Sequence, residues 1–414
     1  MDTFIVKVDP SALAVELGLN RNTQPTNTGT STQSSIAHGA KPTPNVPDDS
    51  SRQSRFRSET AKLDEAVNIL QAGGVVAFPT ETVYGLGANA LDATAVSRIF
   101  TAKSRPSDNP LIVHVSSIAM LESLLPASAP SLPPIYAALV ARFWPGPLTI
   151  LVPRGDHVPN IITAGHATVA VRMPSHPVAR ALIERCGFPL AAPSANTSGR
   201  PSPTLAEHVY ADLQSLIPLV VDGGACQSGV ESTVVDGLRN VPAILRPGSV
   251  TFEQIRQIVG FENVTVYNKH FVDRGLENAP TTPGMKYRHY TPNADVVVVE
   301  MEDIDPKRGC TSSLGVSQQR LKVKQEVVHS LALYPEAVIG ILRTGAPVEA
   351  VDICDGAIEL HLGASAEDIA RNLFKGLRDL ELSRCRIIII EGVLDSGHGL
   401  AVMNRIRKAS SKLI

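Results

Sequence analysis

A chain of 414 residues exceeds what one hydrophobic core ordinarily serves, and its 43% hydrophobic share suffices for two, so two domains are expected. A formal net charge of -2 creates no global field toward nucleic acid or a membrane surface, and aromatics at 4% leave little for a base-stacking platform. The five cysteines (Cys186, Cys226, Cys310, Cys354, Cys385) are widely spaced with no CxxC pair, which argues against a zinc knuckle or disulfide framework and for a reducing compartment. No apolar run approaches the roughly 20 residues of a membrane span. The first 20 residues carry Asp2, Asp9 and Glu16 in place of the basic pattern of a targeting segment, so a cytoplasmic location is expected, with a mitochondrial pool from another start site left open.

Residues 3–8 read as a short strand, with Phe4, Ile5, Val6 and Val8 ahead of Pro10. Residues 21–58 are dominated by Ser, Thr, Asn, Pro and Gln and bury too little to offset their ordering entropy, so a flexible connection is expected there. Leu63, Ala66, Val67 and Leu70 recur at helical spacing until Gly73-Gly74. A strand follows at 75–78 and a helix at 94–103, with Val96, Ile99 and Phe100 on one side. Further strands are predicted at 111–115, 148–152, 168–173, 190–192, 219–221, 233–235 and 243–245, with helices near 135–143, 177–186, 205–213 and 251–258. This mixture implies an α/β domain over about 59–260. A connection over 261–293 holds Pro280, Pro283, Pro292 and the run Met285-Lys286-Tyr287-Arg288-His289-Tyr290. Then 296–299, 338–342 and 387–390 are continuous apolar runs, as in strands buried on both faces. A helix at 366–382 carries Ile369, Leu373, Leu377 and Leu380 on one stripe. The second domain, 294–414, is therefore small, α/β and doubly wound.

The densest chemical signal is Phe78-Pro79-Thr80-Glu81-Thr82-Val83-Tyr84-Gly85-Leu86-Gly87, where hydroxyls, a carboxylate and glycines crowd one strand exit; it reads as a ligand loop or as a capped turn. Gly85-x-Gly87-x-x-Ala90 loosely matches a dinucleotide fingerprint, but six residues separate it from the strand and no helix start follows. No GxxxxGK[ST] exists, so a bound nucleotide would have to be held by side chains. Lys103-x-Arg105, followed by Asp108-Asn109, supplies two cations at a helix end, for a polyphosphate or for the helix dipole. His114 lies in an apolar strand and reads as a core or a functional histidine. Arg172, ending the run from Thr168, enters an apolar layer and needs a partner: a substrate carboxylate, or Asp or Glu elsewhere in the fold. Ala192-Pro193-Ser194-Ala195-Asn196 leads to Ser202 through small, hydroxylated residues, and Glu231-Ser232-Thr233 and Leu245-Arg246-Pro247-Gly248 repeat the theme. His398, framed by Gly397 and Gly399, reads as part of a loop.

Taken in order, these motifs resemble the YrdC-like domain of threonylcarbamoyl-AMP synthases. The Pro283–Pro292 run and the second domain resemble the two-domain form of that family. The resemblance implies a YrdC-like catalytic domain with a twisted mixed sheet, an interdomain linker and a smaller Rossmann-like domain; the 283–292 linker, rich in Tyr, Lys, Arg and His between the domains, is expected to fold over the site as a lid. It implies synthesis of threonylcarbamoyl-AMP from L-threonine, bicarbonate and ATP, with magnesium accompanying the ATP. The product would pass to a threonylcarbamoyl transferase complex that modifies tRNA beside the anticodon, so tRNA is met only indirectly. By the same resemblance, threonine is held by Thr82, His114, Arg172, Ala192 and Ser232. ATP is held by Lys103, Arg105, Asn109, Thr168, Ser194, Asn196, Ser202, Arg246 and one of the linker tyrosines, Tyr287 or Tyr290, with Lys103 and Arg105 as the catalytic cations and no metal-ligating residues. Two competing readings are a double-stranded RNA or nucleotide binding module, which would want a basic excess, and a nucleotide-dependent oxidoreductase resting on the glycine motif.

Overall fold

The computed structural model describes residues 1–16, 49–284, 289–301, 313–345 and 356–414. The strands in chain order are β1 (Phe4–Lys7), β2 (Val76–Phe78), β3 (Gly85–Asn89), β4 (Ile112–His114), β5 (Leu148–Pro153), β6 (Thr168–Arg172), β7 (Leu190–Ala191), β8 (Leu219–Asp222), β9 (Thr233–Asp236), β10 (Ala243–Arg246) and β11 (Thr265–Val266). They are followed by β12 (Asp295–Val299), β13 (Ile339–Arg343), β14 (Ala357–His361), β15 (Ile387–Glu391) and β16 (Lys412–Leu413). Among the described residues the first eleven form one mixed sheet, in the order β1-β8-β2-β3-β7-β4-β6-β5-β9-β10-β11, and the last five form a second, all-parallel sheet, β14-β13-β15-β12-β16. The first sheet thus takes in β1, from the start of the chain, and β11, from within the 261–293 connection.

The second sheet is covered on both faces, and its sequence explains how. On β12, Val296 and Val298 enter one apolar cluster while Val297 and Val299 enter another; on β15, Ile388 and Ile390 part from Ile387 and Ile389 in the same way. Strict alternation between two dry faces is why these strands read as unbroken apolar runs. The helices Ala366–Leu382 and His398–Ala409 line the first face and Ser313–Leu333 the other, which makes the domain doubly wound. His398 opens a helix instead of sitting in a loop.

One further local expectation gives way, and the doubt over the glycine motif is borne out. Asp49–Ala61 is helical, although its composition suggested a flexible connection. Its tie to the N-terminus is partly polar: Glu59 accepts from the backbone N–H of Asp9 at 2.8 Å and Arg55 pairs with Asp9, contacts that hydrophobic periodicity does not register, while Phe56 packs against the cluster of Val8 and Leu13. The rest of the expected flexible segment, 17–48, lies outside the described residues. Gly85–Asn89 is a strand antiparallel to β2, so the glycine motif opens no helix and supports no dinucleotide fold. Gly87 is there for packing, since a Cβ would lie 2.6 Å from the Phe78 ring.

Sheet order positions the functional side chains. Strands β3, β7, β4, β6, β5, β9 and β10 are consecutive neighbours. His114 pairs directly with Arg172, Arg172 with Thr149, and Leu148 with Thr233 beside Ser232. Directly paired residues share a face with Cβ atoms about 5 Å apart, so these groups converge at one end of the sheet.

Candidate active site

The β2–β3 turn is built on Thr80. Its hydroxyl donates to the carbonyl of Val83 at 2.7 Å, accepts from the backbone N–H groups of Thr82 and Val83, and lies 2.8 Å from the Thr82 hydroxyl. Thr82 in turn accepts from Arg172 Nη1 at 2.9 Å. The same guanidinium pairs with Glu81 at 2.6 Å and donates through Nε to the Gly146 carbonyl at 3.3 Å. Glu81 also accepts from the backbone N–H of Ser175 at 3.1 Å, and both charged residues are buried. Arg172 therefore has a protein carboxylate as partner, yet it still faces the cavity.

That cavity, of about 50 Å³, is also lined by Thr82, His114, Ala192, Ser194, Ser232, Arg105 and Arg246. Burial, then Arg172, pushes the His114 imidazole down to about 3, so it is neutral at physiological pH; its Nδ1 is buried without a protein hydrogen-bond partner. The Ser232 and Thr149 hydroxyls meet at 2.8 Å. Arg246 donates through Nη2 to the Ser232 carbonyl and hydroxyl at 2.9 and 3.1 Å, and through Nη1 to the Pro283 carbonyl at 3.3 Å. Arg105 follows the left-handed Ser104 that ends the helix Ala93–Lys103, and donates to the carbonyls of Asn109 and Pro110. Burial, then the neighbouring Arg246, lowers Arg105 to about 10. The connection contributes to its wall: Pro283, Gly284, His289 and Tyr290 line it, and the Tyr290 ring stacks on Phe374 of the second domain at 5.1 Å.

Other expected residues lie elsewhere. Lys103 points behind the wall, its ammonium donating to the carbonyls of Ser194 and Asn196; burial, then Arg105, holds it well below the ordinary lysine range. Asn196 bonds the carbonyls of Thr197 and Arg200, and Ser202 donates to Glu231 at 2.6 Å, so these residues shape the loop under Ser194 and do not line the cavity. Asn109 is buried beside Arg105, likewise outside the lining. Thr168 is at the opposite end of β6 from Arg172, roughly 13 Å along the strand at ~3.3 Å per residue, and is not brought to the cavity. Tyr287 lies outside the described residues.

The expected site omitted Glu81 and Glu231, although both stand in the motifs that pointed to it. Glu231 lines the cavity, and although its burial opposes ionisation, Arg405 and Arg246 hold its carboxyl down at about 2. Arg405 was missed altogether; it comes from the second domain and no local pattern marks it.

With this geometry in place, two family models match the chain: one described as telomere recombination over residues 68–248, and one described as threonylcarbamoyl-AMP synthase, C-terminal domain, over 250–411. A threonylcarbamoyl-AMP synthase of Pyrococcus abyssi is 44% identical over 360 residues, covering 86% of this chain and 96% of the relative. The chain belongs to the threonylcarbamoyl-AMP synthase family. It is thus an enzyme of that nucleotidyltransferase class. A relative of the same name from Schizosaccharomyces pombe is 45% identical over 377 residues, covering 86% and 90% of the two chains. Among solved structures, Pyrococcus abyssi Sua5 complexed with L-threonine superposes with a TM-score of 0.73 at 42% identity, over 86% of this chain and 97% of that one. Membership in this family displaces the oxidoreductase reading. Among the described residues no helix is long and apolar enough to cross a membrane.

Proposed function

We propose that the chain joins L-threonine, bicarbonate and ATP into threonylcarbamoyl-AMP with release of pyrophosphate, for threonylcarbamoyladenosine formation beside the tRNA anticodon. The product passes to a separate transferase complex. The observation that carries this reading is one cavity lined both by Arg172 with Thr82, an arrangement suited to a carboxylate, and by two further arginines, Arg105 and Arg246. It agrees with the solved relative that holds L-threonine.

In the chemistry proposed, threonine's amine and bicarbonate form a carbamate with loss of water. A carbamate oxygen then attacks the α-phosphorus of ATP, the bond to the bridging oxygen breaks, and pyrophosphate leaves with that oxygen. Such a transfer needs positioning and charge stabilisation, not a protein nucleophile. Arg172 is pre-oriented by Glu81, Thr82 and Gly146, so it meets the threonine carboxylate with little reorganisation. Neutral His114 offers Nδ1, and Ser232 and the Ala192 backbone complete that side. Arg105, Arg246 and Ser194 take the nucleotide, while Lys103, Asn196, Asn109 and Ser202 hold the loops beneath it. Tyr290 and His289 wall the cavity from the connection, and we propose that 283–292 closes over it to exclude water from the labile carbamate. Glu231, the carboxylate that lines the cavity, is committed to Arg405, and Glu81 behind the wall is committed to Arg172. Magnesium would therefore arrive on the phosphates with its own waters and find no protein cage. The direct test is incubation with ATP, magnesium, bicarbonate and labelled threonine. Pyrophosphate release that requires both threonine and bicarbonate supports the reading; release independent of threonine sinks it.

A further inference from the structure

Glu231 sits where the two domains meet the cavity. One carboxylate oxygen accepts from the Ser202 hydroxyl at 2.6 Å, and the other pairs with Arg405 Nε at 3.0 Å. Arg405 belongs to the helix His398–Ala409 of the second domain and is wholly buried. It also donates to the Pro247 carbonyl, one residue beyond Arg246, and its guanidinium lies 5.9 Å from the Tyr290 ring. Arg246, next to Glu231 in space, makes no hydrogen bond to it; its N–H groups go to Ser232 and Pro283.

We propose that Arg405 is a positioning residue of the synthase site: by holding the Glu231 carboxylate, it leaves Arg246 on Ser232 and facing the nucleotide. The proposal rests on the reading above that the cavity takes ATP. It gives the second domain a part in the chemistry, namely one arginine delivered to the back of the active-site wall. The physical reason is that a buried carboxylate does not stay unpaired. Without Arg405 it has two courses. It can draw Arg246 off Ser232, moving two groups of the proposed binding wall at once, or it can take up a proton and become a donor. The charged and titratable groups facing it are Arg246 from β10, Arg405 and Lys408 from the second-domain helix, and His289 and Tyr290 from the connection. Of these Arg405 is the cation that pairs with it, while Tyr290 adds a neutral hydrogen bond that leaves its charge uncompensated.

Plain interdomain adhesion is the alternative, and the molecule supplies a control for it. Glu381 of the second domain pairs with Arg200 of the first at 2.6 Å, outside the cavity lining. The experiment measures pyrophosphate release by the full chain against ATP concentration, at saturating threonine and bicarbonate, between pH 5.5 and 8 (about two units around neutrality). Arg405→Met is expected to raise KM for ATP roughly tenfold, with a smaller effect on kcat, and to introduce an acid limb below neutral pH. Glu231→Gln combined with Arg405→Met, which removes both charges, should recover most of the loss and flatten that limb, while Glu381→Gln should track the wild type. Arg405→Lys, which keeps the charge, should fall between, and it carries the test if the methionine variant does not fold. A wild-type KM and pH profile in Arg405→Met or Arg405→Lys overturns the proposal, as does a double variant no better than Arg405→Met. A wild type that releases no threonine-dependent pyrophosphate fails the reading of the cavity itself, an outcome distinct from an active wild type whose variants are unchanged.

Discussion

Arg343 in the second domain lies between two carboxylates, Glu359 at 2.9 Å and Glu391 at 2.7 Å, and these partners push its pKa upward against the effect of burial. The cations around the first domain's cavity are driven the other way. Lys103, Arg105 and Arg246 are all lowered, by burial first and then with like-charged neighbours contributing, and Lys408 beside them falls to about 7. Both regions bury arginine, yet only one supplies enough negative charge to satisfy it. A closed arginine–carboxylate set is a structural device, whereas a cavity wall with surplus cations is stabilised by an anion from outside. The surplus of cations favours the proposed polyphosphate site more than any single motif does.

Three substitutions test it, in descending order of effect. Arg246→Ala removes a surplus cation and should lower threonine-dependent pyrophosphate release by about two to three orders of magnitude, the usual scale for losing a charge-stabilising donor. Retention of most activity would mean the surplus charge serves something else. Arg172→Ala should cut kcat/KM for threonine by about a hundredfold. It also strands Glu81 in a buried site, so a stability loss of ~3–5 kcal/mol is expected in denaturant unfolding. Arg343→Met should show that stability cost alone, ~3–5 kcal/mol, from breaking a buried set. Its KM values should stay at wild type, and a changed KM for either substrate would erase the contrast between the two regions.

Much of this was legible in the chain because local pattern and tertiary role coincide. The unbroken apolar runs at 296–299 and 387–390 are strands buried on both faces, and Arg172, His114, Ser232 and Arg246 lie at strand ends that sheet order brings together. What was not legible depends on partners far away in sequence. Gly85–Asn89 is too glycine-rich to look like a strand; it is one because β2 and β7 pair with it on either side. Lys103 looks like a phosphate ligand until the loop at Ser194 and Asn196 folds back onto its ammonium. Arg405 has no local signature at all, because its meaning is Glu231, 174 residues away.

A smaller effect follows from the histidines of the first domain and the connection. Burial is the leading cause for each, and it lowers His114 and His289 to about 3 and His176 and His208 to about 4. In the unfolded chain each takes a proton near pH 6.5. Between that value and the folded pKa the unfolded state holds more protons, so stability falls as pH falls from about 6.5 toward 4, and the contribution is absent above neutrality. Glu231, held down at about 2, adds a further loss only once pH falls through the ordinary carboxylate pKa toward that value. The melting temperature should therefore decline steadily from pH 7 to pH 5, before carboxylates contribute much. His208 accepts from the Thr204 backbone N–H at 3.2 Å and lies outside the cavity lining, so His208→Gln isolates the effect. Its melting temperature should fall less steeply across that interval at unchanged KM for ATP. An identical slope would show that folding does not depress the His208 pKa.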